Sequence, residues 1–203
     1  GRLALTHYRR GMVRILDTAT RAVLAEWPLD RASHAEFSPD GKWVVSNAAR
    51  GSSGRAEIRA AANGQLVHVA GEKTGRVTAL SPDGQWLLVG VGEHDVRLLR
   101  SGTWAPGPAL PDDVQSDNFL ATFSADSRLI AIRTDDGVVL LRTDTAEPLA
   151  RLEHPDGSLY GCGLRFTSDN RRLIIARLDG RVDVWDVAAM RRELTALNLD
   201  WPD

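Results

Sequence analysis

The stretch Phe37-Ser38-Pro39-Asp40-Gly41-Lys42-Trp43 decides how this chain is read, because it comes back. It returns as Leu80-Ser81-Pro82-Asp83-Gly84-Gln85-Trp86, then as Phe123-Ser124-Ala125-Asp126-Ser127-Arg128-Leu129, and then as Phe166-Thr167-Ser168-Asp169-Asn170-Arg171-Arg172-Leu173, each time 43 residues further on. A constant period of this size marks a repeat architecture, in which one unit cannot bury its own apolar face and stacks on its neighbours. Asp40, Gly41, Asp83, Gly84, Asp126 and Asp169 hold fixed places in the unit and are expected to shape a turn. A calcium cage takes six to eight oxygens, far more than one carboxylate per unit supplies, whereas Asp and Gly are turn formers in their own right.

Between these turns lie short β-branched and leucine-rich runs bounded by Gly, Pro, Asn and Asp, which is the pattern of strands. Four strands fit one period, and four-stranded propeller blades have a repeat of about 40–45 residues. The predicted fold class is therefore all-β, a β-propeller segment of four-stranded antiparallel blades. Three complete blades are expected at about 31–70, 71–110 and 111–152, with partial blades at 1–30 and 153–187. The glycine- and serine-rich stretch from Ala49 to Arg55 is expected to be a loop, and Asn63-Gly64 a tight hairpin turn. In the blade at 71–110 the outer strand should run near Ala105 to Leu110, since Pro106 and Pro108 remove ladder donors and an edge tolerates that. Residues 188–197 predict a short helix in place of the last outer strand, with Met190, Leu194 and Leu197 on one apolar face, followed by a tail at 198–203. Gly1-Arg2-Leu3-Ala4-Leu5 matches the sequence that follows a repeat's Asp-Gly turn, so the chain is expected to start inside a repeat, with upstream blades of the same chain as its neighbours.

Composition narrows the partners. The chain has 203 residues, 43% of them hydrophobic, with 25 basic and 27 acidic side chains interspersed to a net charge of −2. No long basic face is offered to nucleic acid, and no apolar run approaches the roughly 20 residues a membrane helix needs. The reading therefore expects no nucleic-acid partner and no membrane insertion in this segment. The single cysteine, Cys162, excludes an internal disulfide framework. Alternation from Tyr160 to Phe166 predicts it as a buried, inert thiol, and no leader follows Gly1, which leans the reading towards the cytoplasm.

The phased Phe-Ser-Pro-Asp-Gly-Lys-Trp motif, together with Val182-Asp183-Val184-Trp185-Asp186 at the end of a third strand, resembles the WD-repeat β-propeller family. The resemblance covers nearly the whole chain, although only one unit keeps the Trp-Asp pair. It implies a polar network in each blade, and in the last unit His154, Asp179 and Trp185 fit three of its places as structural residues, with Arg177 standing where a hydroxyl residue is expected. The incomplete network resembles divergent bacterial propellers. The ending, with Trp185-Asp186, an arginine-rich helix and Leu199-Asp200-Trp201, resembles the C-terminal part of propeller regions in larger bacterial proteins, which often carry a serine/threonine kinase domain upstream.

Neither a phosphate loop, nor a zinc-binding His-Glu-x-x-His helix, nor a nucleophile elbow occurs in the sequence. The expected function is that of a non-catalytic protein-interaction or scaffold module without cofactor, metal or catalytic residues, presenting a rim of loops to a protein or peptide partner. Loops joining a fourth strand to the next first strand, and second strands to third strands, should share that rim. They supply Arg31, His34, Glu72, Lys73, His94, Asp112, Asp113, Asp117, Asp135 and Asp156 as candidate binding residues, since binding is commonly placed on variable loops over a rigid scaffold. Two alternatives belong beside it: a lactonase- or hydrolase-type propeller with His34, His94 and Asp117 converging on a metal, and a regulatory sensor segment of a bacterial kinase.

Overall fold

A computed structural model describes residues 1–48, 55–70, 76–91, 95–114, 120–134, 136–153 and 161–201. Among them are five antiparallel sheets and one α-helix, a propeller-like segment of blades. The first sheet contains β1 (Arg2–His7), β2 (Met12–Asp17) and β3 (Val23–Pro28); the second β4 (Ala32–Phe37), β5 (Trp43–Ala48), β6 (Ala56–Ala60) and β7 (Leu66–Ala70). The third is β8 (Arg76–Leu80), β9 (Trp86–Val91) and β10 (Asp95–Arg100); the fourth β11 (Ala121–Phe123), β12 (Leu129–Arg133), β13 (Gly137–Arg142) and β14 (Pro148–Glu153). The fifth is β15 (Gly161–Phe166), β16 (Arg172–Arg177) and β17 (Val182–Asp186), followed by helix α1 (Val187–Ala196). Strands pair in chain order within every sheet, as short hairpin connections require. The chain forms two compact units, Gly1–Leu80 with Gly84–Gly107, and Ser81–Asp83 with Pro108–Asp203.

The repeated motif is the turn between the first two strands of a sheet. At the first copy the Ser38 hydroxyl donates to Asp40 Oδ1 (2.6 Å) and accepts from the Trp43 amide (3.0 Å), while the Lys42 amide donates to the same carboxylate oxygen (3.0 Å). Ser124 with Asp126 and Thr167 with Asp169 repeat this arrangement, and Ser81 donates to Asp83 (2.6 Å). The residue after each aspartate has positive φ, at Gly41, Gly84, Ser127 and Asn170.

The outer strand expected near Ala105 to Leu110 is reduced to a single bridge between Leu99 and Pro106. The Arg100 amide still reaches Ala105 O (2.9 Å) and the Gly107 amide Leu98 O (2.7 Å), but Pro106 and Pro108 have no donor with which to extend the ladder. The loop expected at Ala49 to Arg55 lies outside the described residues apart from Arg55.

Alternation along the strands gives every sheet two faces. In the first unit, Ala4, Val13, Ile15 and Trp27 of the first sheet meet Ala35, Phe37 and Val44 of the second; Val45, Ala56 and Ile58 on the second sheet's other face meet Leu87, Val89 and Leu99 of the third. In the second unit Ala131, Val138, Leu140 and Leu152 of the fourth sheet meet Leu164, Leu173 and Ile175 of the fifth. The turns before the outer strands also press on the preceding sheet. Gly64, at φ +73°, lies where an added Cβ would be 3.0 Å from Ala25 Cβ and 3.3 Å from the Trp27 ring. At the corresponding turn of the third sheet Trp104 fills the space, edge-on to Trp43 at 5.6 Å between ring centroids and stacked on His68 at 6.2 Å.

Asp186 caps α1 by accepting from the Ala189 amide (2.7 Å). Val187, Met190 and Leu194 pack on the fifth sheet, whereas Leu197 is exposed, because the helix ends at Ala196 and the chain turns at Asn198 with positive φ. Trp201 takes the place expected of Leu197, held under Arg191, whose guanidinium donates to Asp200 (3.1 Å) and to Trp201 O (3.0 Å).

Two stability measurements follow from the turns. Gly64→Ala should cost about 2–3 kcal/mol in urea unfolding, from left-handed strain plus overpacking, whereas Gly41→Ala, with nothing within 4 Å of its Cβ, should cost only about 1 kcal/mol of strain. The Ser38 hydroxyl and Lys42 amide hold the Asp40 carboxyl below its ordinary range, and the Thr167 hydroxyl and Arg171 amide do the same for Asp169. A depressed folded pKa contributes stability above the unfolded value, near about 4, and loses it as pH falls through the folded value. The melting temperature should therefore drop on acidification below about pH 4, and the drop should be shallower in Asp169→Asn; an unchanged acid limb in that variant would show that the turn carboxylate is not a source of acid sensitivity.

Candidate functional site

Each sheet has a turn end and a rim end, and the two differ in what they leave free. At the turn end one carboxylate oxygen, Oδ1, of each recurrent aspartate accepts from its own serine or threonine, and at Asp40, Asp126 and Asp169 from a backbone amide as well. Neighbouring turns are also stitched together where the positive-φ residue has a side chain: Ser127 Oγ accepts from the Asp83 amide (3.0 Å), and Asn170 Oδ1 from the Ala125 amide (2.6 Å).

At the rim end of the first unit, the β1–β2 connection folds as a 3₁₀ turn at Tyr8–Arg10, capped by His7 Nδ1 accepting from the Arg10 amide (3.3 Å) and ended by Gly11 at φ +58°. Gly11 O accepts from the Leu29 amide (2.8 Å), and a Cβ on Gly11 would lie 3.4 Å from Asp30 Cα. The 3₁₀ turn is thereby fixed against the β3–β4 turn, where Arg31 takes positive φ and the Ala32 amide donates to Leu29 O (3.1 Å). Tyr8, Arg9, Arg10, Asp30, Arg31 and His34 are all exposed. His34 Nε2 is 3.4 Å from Glu36 Oε2, an exposed pair on β4.

In the second unit Asp112 and Asp113 are exposed in a turn closed by the Val114 amide on Pro111 O (3.0 Å), with Val114 buried beneath them. Asp113 pairs with Arg151 of β14. The other expected rim residues, Glu72, Lys73, His94, Asp117, Asp135 and Asp156, lie outside the described residues. Reading the sequence missed Tyr8-Arg9-Arg10. The rule that second-to-third-strand loops share the rim would have found it, had that rule been applied to the unit whose first strand is missing.

Of the structural residues of the last unit, His154 lies outside the described residues, Trp185 packs with the core of the fifth sheet, and Asp179 accepts from the Arg181 amide (3.1 Å). Arg177, which occupies the place of a hydroxyl residue, lies between two carboxylates, 3.4 Å from Asp179 and 3.5 Å from Asp183. An ion-pair bridge thus joins the hairpin turn to the third strand. Cys162 is the extra residue of a bulge, Gly161 pairing with Arg177 and Gly163 with Ala176, so simple alternation from Tyr160 does not assign its face. Among the described residues no group of three or more His, Cys, Asp or Glu side chains is placed to hold a metal ion. His68 is withdrawn into the Trp104 stack, and burial lowers its pKa.

The WD domain, G-beta repeat family matches residues 64–98, from the turn before β7 into β10. No curated protein matches the chain. Among solved structures it is similar to the computationally designed Ika8 protein, with a TM-score of 0.67 and 21% identity over 87% of this chain and 53% of that one. The chain thus spans about half the length of that protein. Since 948 solved chains match, the likeness shows a shared fold and singles out no activity. The chain carries a WD40 repeat within an all-β, propeller-like segment of blades.

Proposed function

We propose that this chain is a non-catalytic protein-interaction module that binds a protein or peptide partner on its loop rim, the mode in which WD40 repeats generally act. The observation that carries this reading is the Tyr8–Arg10 turn held on the Leu29–Arg31 turn by the Leu29 amide and Gly11 O. It presents an exposed tyrosine and three arginines beside one aspartate, on backbone that is already fixed. Tyrosine and arginine are the residue types that most often carry binding energy at protein interfaces, and a fixed backbone lowers the ordering cost of binding. The charge balance of this patch favours a partner segment bearing carboxylates. Arg31, His34, Asp112 and Asp113 belong to the proposed rim, and Glu72, Lys73, His94, Asp117, Asp135 and Asp156 belong to it by their place in the repeat.

The rim and the turn end can be separated by mutation. Binding to an array of acidic and tyrosine-containing peptides, measured with the wild-type chain, should fall at least about tenfold in the variant Tyr8→Ala/Arg10→Glu/Arg31→Glu, equivalent to about 1.4 kcal/mol. It should be unchanged in Lys42→Glu/Arg171→Glu at the other end of the strands. Equal binding by both variants would remove this rim patch as the docking surface.

A further inference from the structure

Two hydrogen bonds close the Tyr8–Arg10 turn: the Gly11 amide donates to Tyr8 O (3.3 Å), and the Arg10 amide donates to His7 Nδ1 (3.3 Å). The second makes His7 the N-cap, with extended backbone at φ −121° and ψ 93°. A ring nitrogen accepts only while it keeps its lone pair, so this bond requires a neutral His7 with its proton on Nε2. Serine, threonine, asparagine and aspartate are the usual N-caps, and α1 follows that rule with Asp186, whose Oδ1 accepts from the Ala189 amide (2.7 Å). Histidine differs from all of them in one respect. It changes charge between pH 5 and 8, and once it gains a proton both ring nitrogens are donors.

The charged groups around the ring come from its own turn and from three neighbours. Register sets His7 opposite Met12 and Leu5 opposite Arg14, so Arg14 of β2 shares its face, where it is paired with Glu26 of β3 (2.8 Å). On β4, the strand packed against β1, His34 and Glu36 pair with each other (3.4 Å). Asp30 and Arg31 belong to the β3–β4 turn, and Tyr8, Arg9 and Arg10 to the capped turn itself. Among the described residues no carboxylate forms an ion pair with His7. Protonation therefore exchanges the cap for a surface charge that has no anionic partner and stands next to Arg9 and Arg10.

We propose that His7 is a proton-operated cap on the rim: protonation releases the Arg10 amide, loosens the Tyr8–Arg10 turn and weakens its hold on an acidic partner segment. The turn loses one of the two bonds that close it, and the cost of ordering Tyr8 and the arginines returns at the moment of binding. The charge gained by the ring also attracts carboxylates, but it is exposed and screened by salt, whereas the lost bond is felt by the whole turn. Binding is thus tight while His7 is neutral and weakens as pH falls through the range in which histidine titrates. The effect on binding rests on the rim reading of function; the release of the Arg10 amide does not.

NMR on the 203-residue chain between about pH 7.5 and about pH 5.5 reads the cap directly. The Arg10 amide proton should move upfield as pH falls, with the same midpoint as the His7 ring. It should stay in place in His7→Asn, because asparagine caps throughout this range. Affinity for a tyrosine-containing glutamate peptide, whose carboxylates stay ionised here, should fall about fivefold from about pH 7.5 to about pH 5.5. That ratio should shrink to about one in His7→Asn and in His7→Ala, with the alanine variant weak at both ends, and should persist in His34→Gln.

An Arg10 amide that ignores the His7 titration, or moves equally in His7→Asn, overturns the inference, and the wild-type titration decides the first point without any variant. A pH ratio that persists in His7→Asn, or vanishes in His34→Gln, also overturns it. The two readings fail separately. If the glutamate peptide binds equally at both ends of the range, the rim stands and the proton-operated control of it is overturned. If no acidic peptide binds while the Arg10 amide titrates with His7, the cap is supported and the rim reading alone fails.

Discussion

The hydroxyl of a serine or threonine, bonded to an aspartate two residues on and to a strand amide five residues on, is the interaction from which the rest of this structure follows. At Ser38, Ser124 and Thr167 it closes the turn between the first two strands and leaves the aspartate to take a second amide. Because the turn has one geometry, the strand leaving it starts in one register. The alternation of side chains then sends Val44, Leu87 and Leu173 to the same face of their sheets. A slip of one residue would exchange the faces of a whole strand.

Fixed faces turn a list of strands into stacked sheets. Strand Trp86–Val91 has buried residues on both of its faces and reads as a nearly continuous hydrophobic run. The fit between sheets is adjusted at the turns before the outer strands. Gly64 stands where the preceding sheet presents Trp27, and Trp104 where it presents Trp43 and His68. Beside the fifth sheet the core is extended by α1 and by Trp201, held under Arg191.

The same repetition divides the two ends of the sheets chemically. Turn-end carboxylates each accept local donors at Oδ1, and the side chains of Ser127 and Asn170 tie adjacent turns together. At the rim the connections differ in length and composition, so nothing in the repeat fixes their chemistry. That is where Tyr8, the arginines beside it and the Asp112–Asp113 turn are exposed.

The sequence by itself determined the all-β class, the antiparallel sheets of short strands and the short terminal helix. Each of these is set by local periodicity and turn chemistry, and the 43-residue period repeats the signal four times. It led to an outer strand near Ala105 to Leu110, whereas in the tertiary structure the missing donors of Pro106 and Pro108 cut that strand to one bridge. Three features were decided in space alone. Arg177 joins Asp179 and Asp183, Trp201 replaces Leu197 in the core, and the Tyr8–Arg10 turn is seated on the Leu29–Arg31 turn. Each depends on contact between residues brought together by the folding of a hairpin, a helix end or a neighbouring turn, and no periodicity in the chain encodes such a contact.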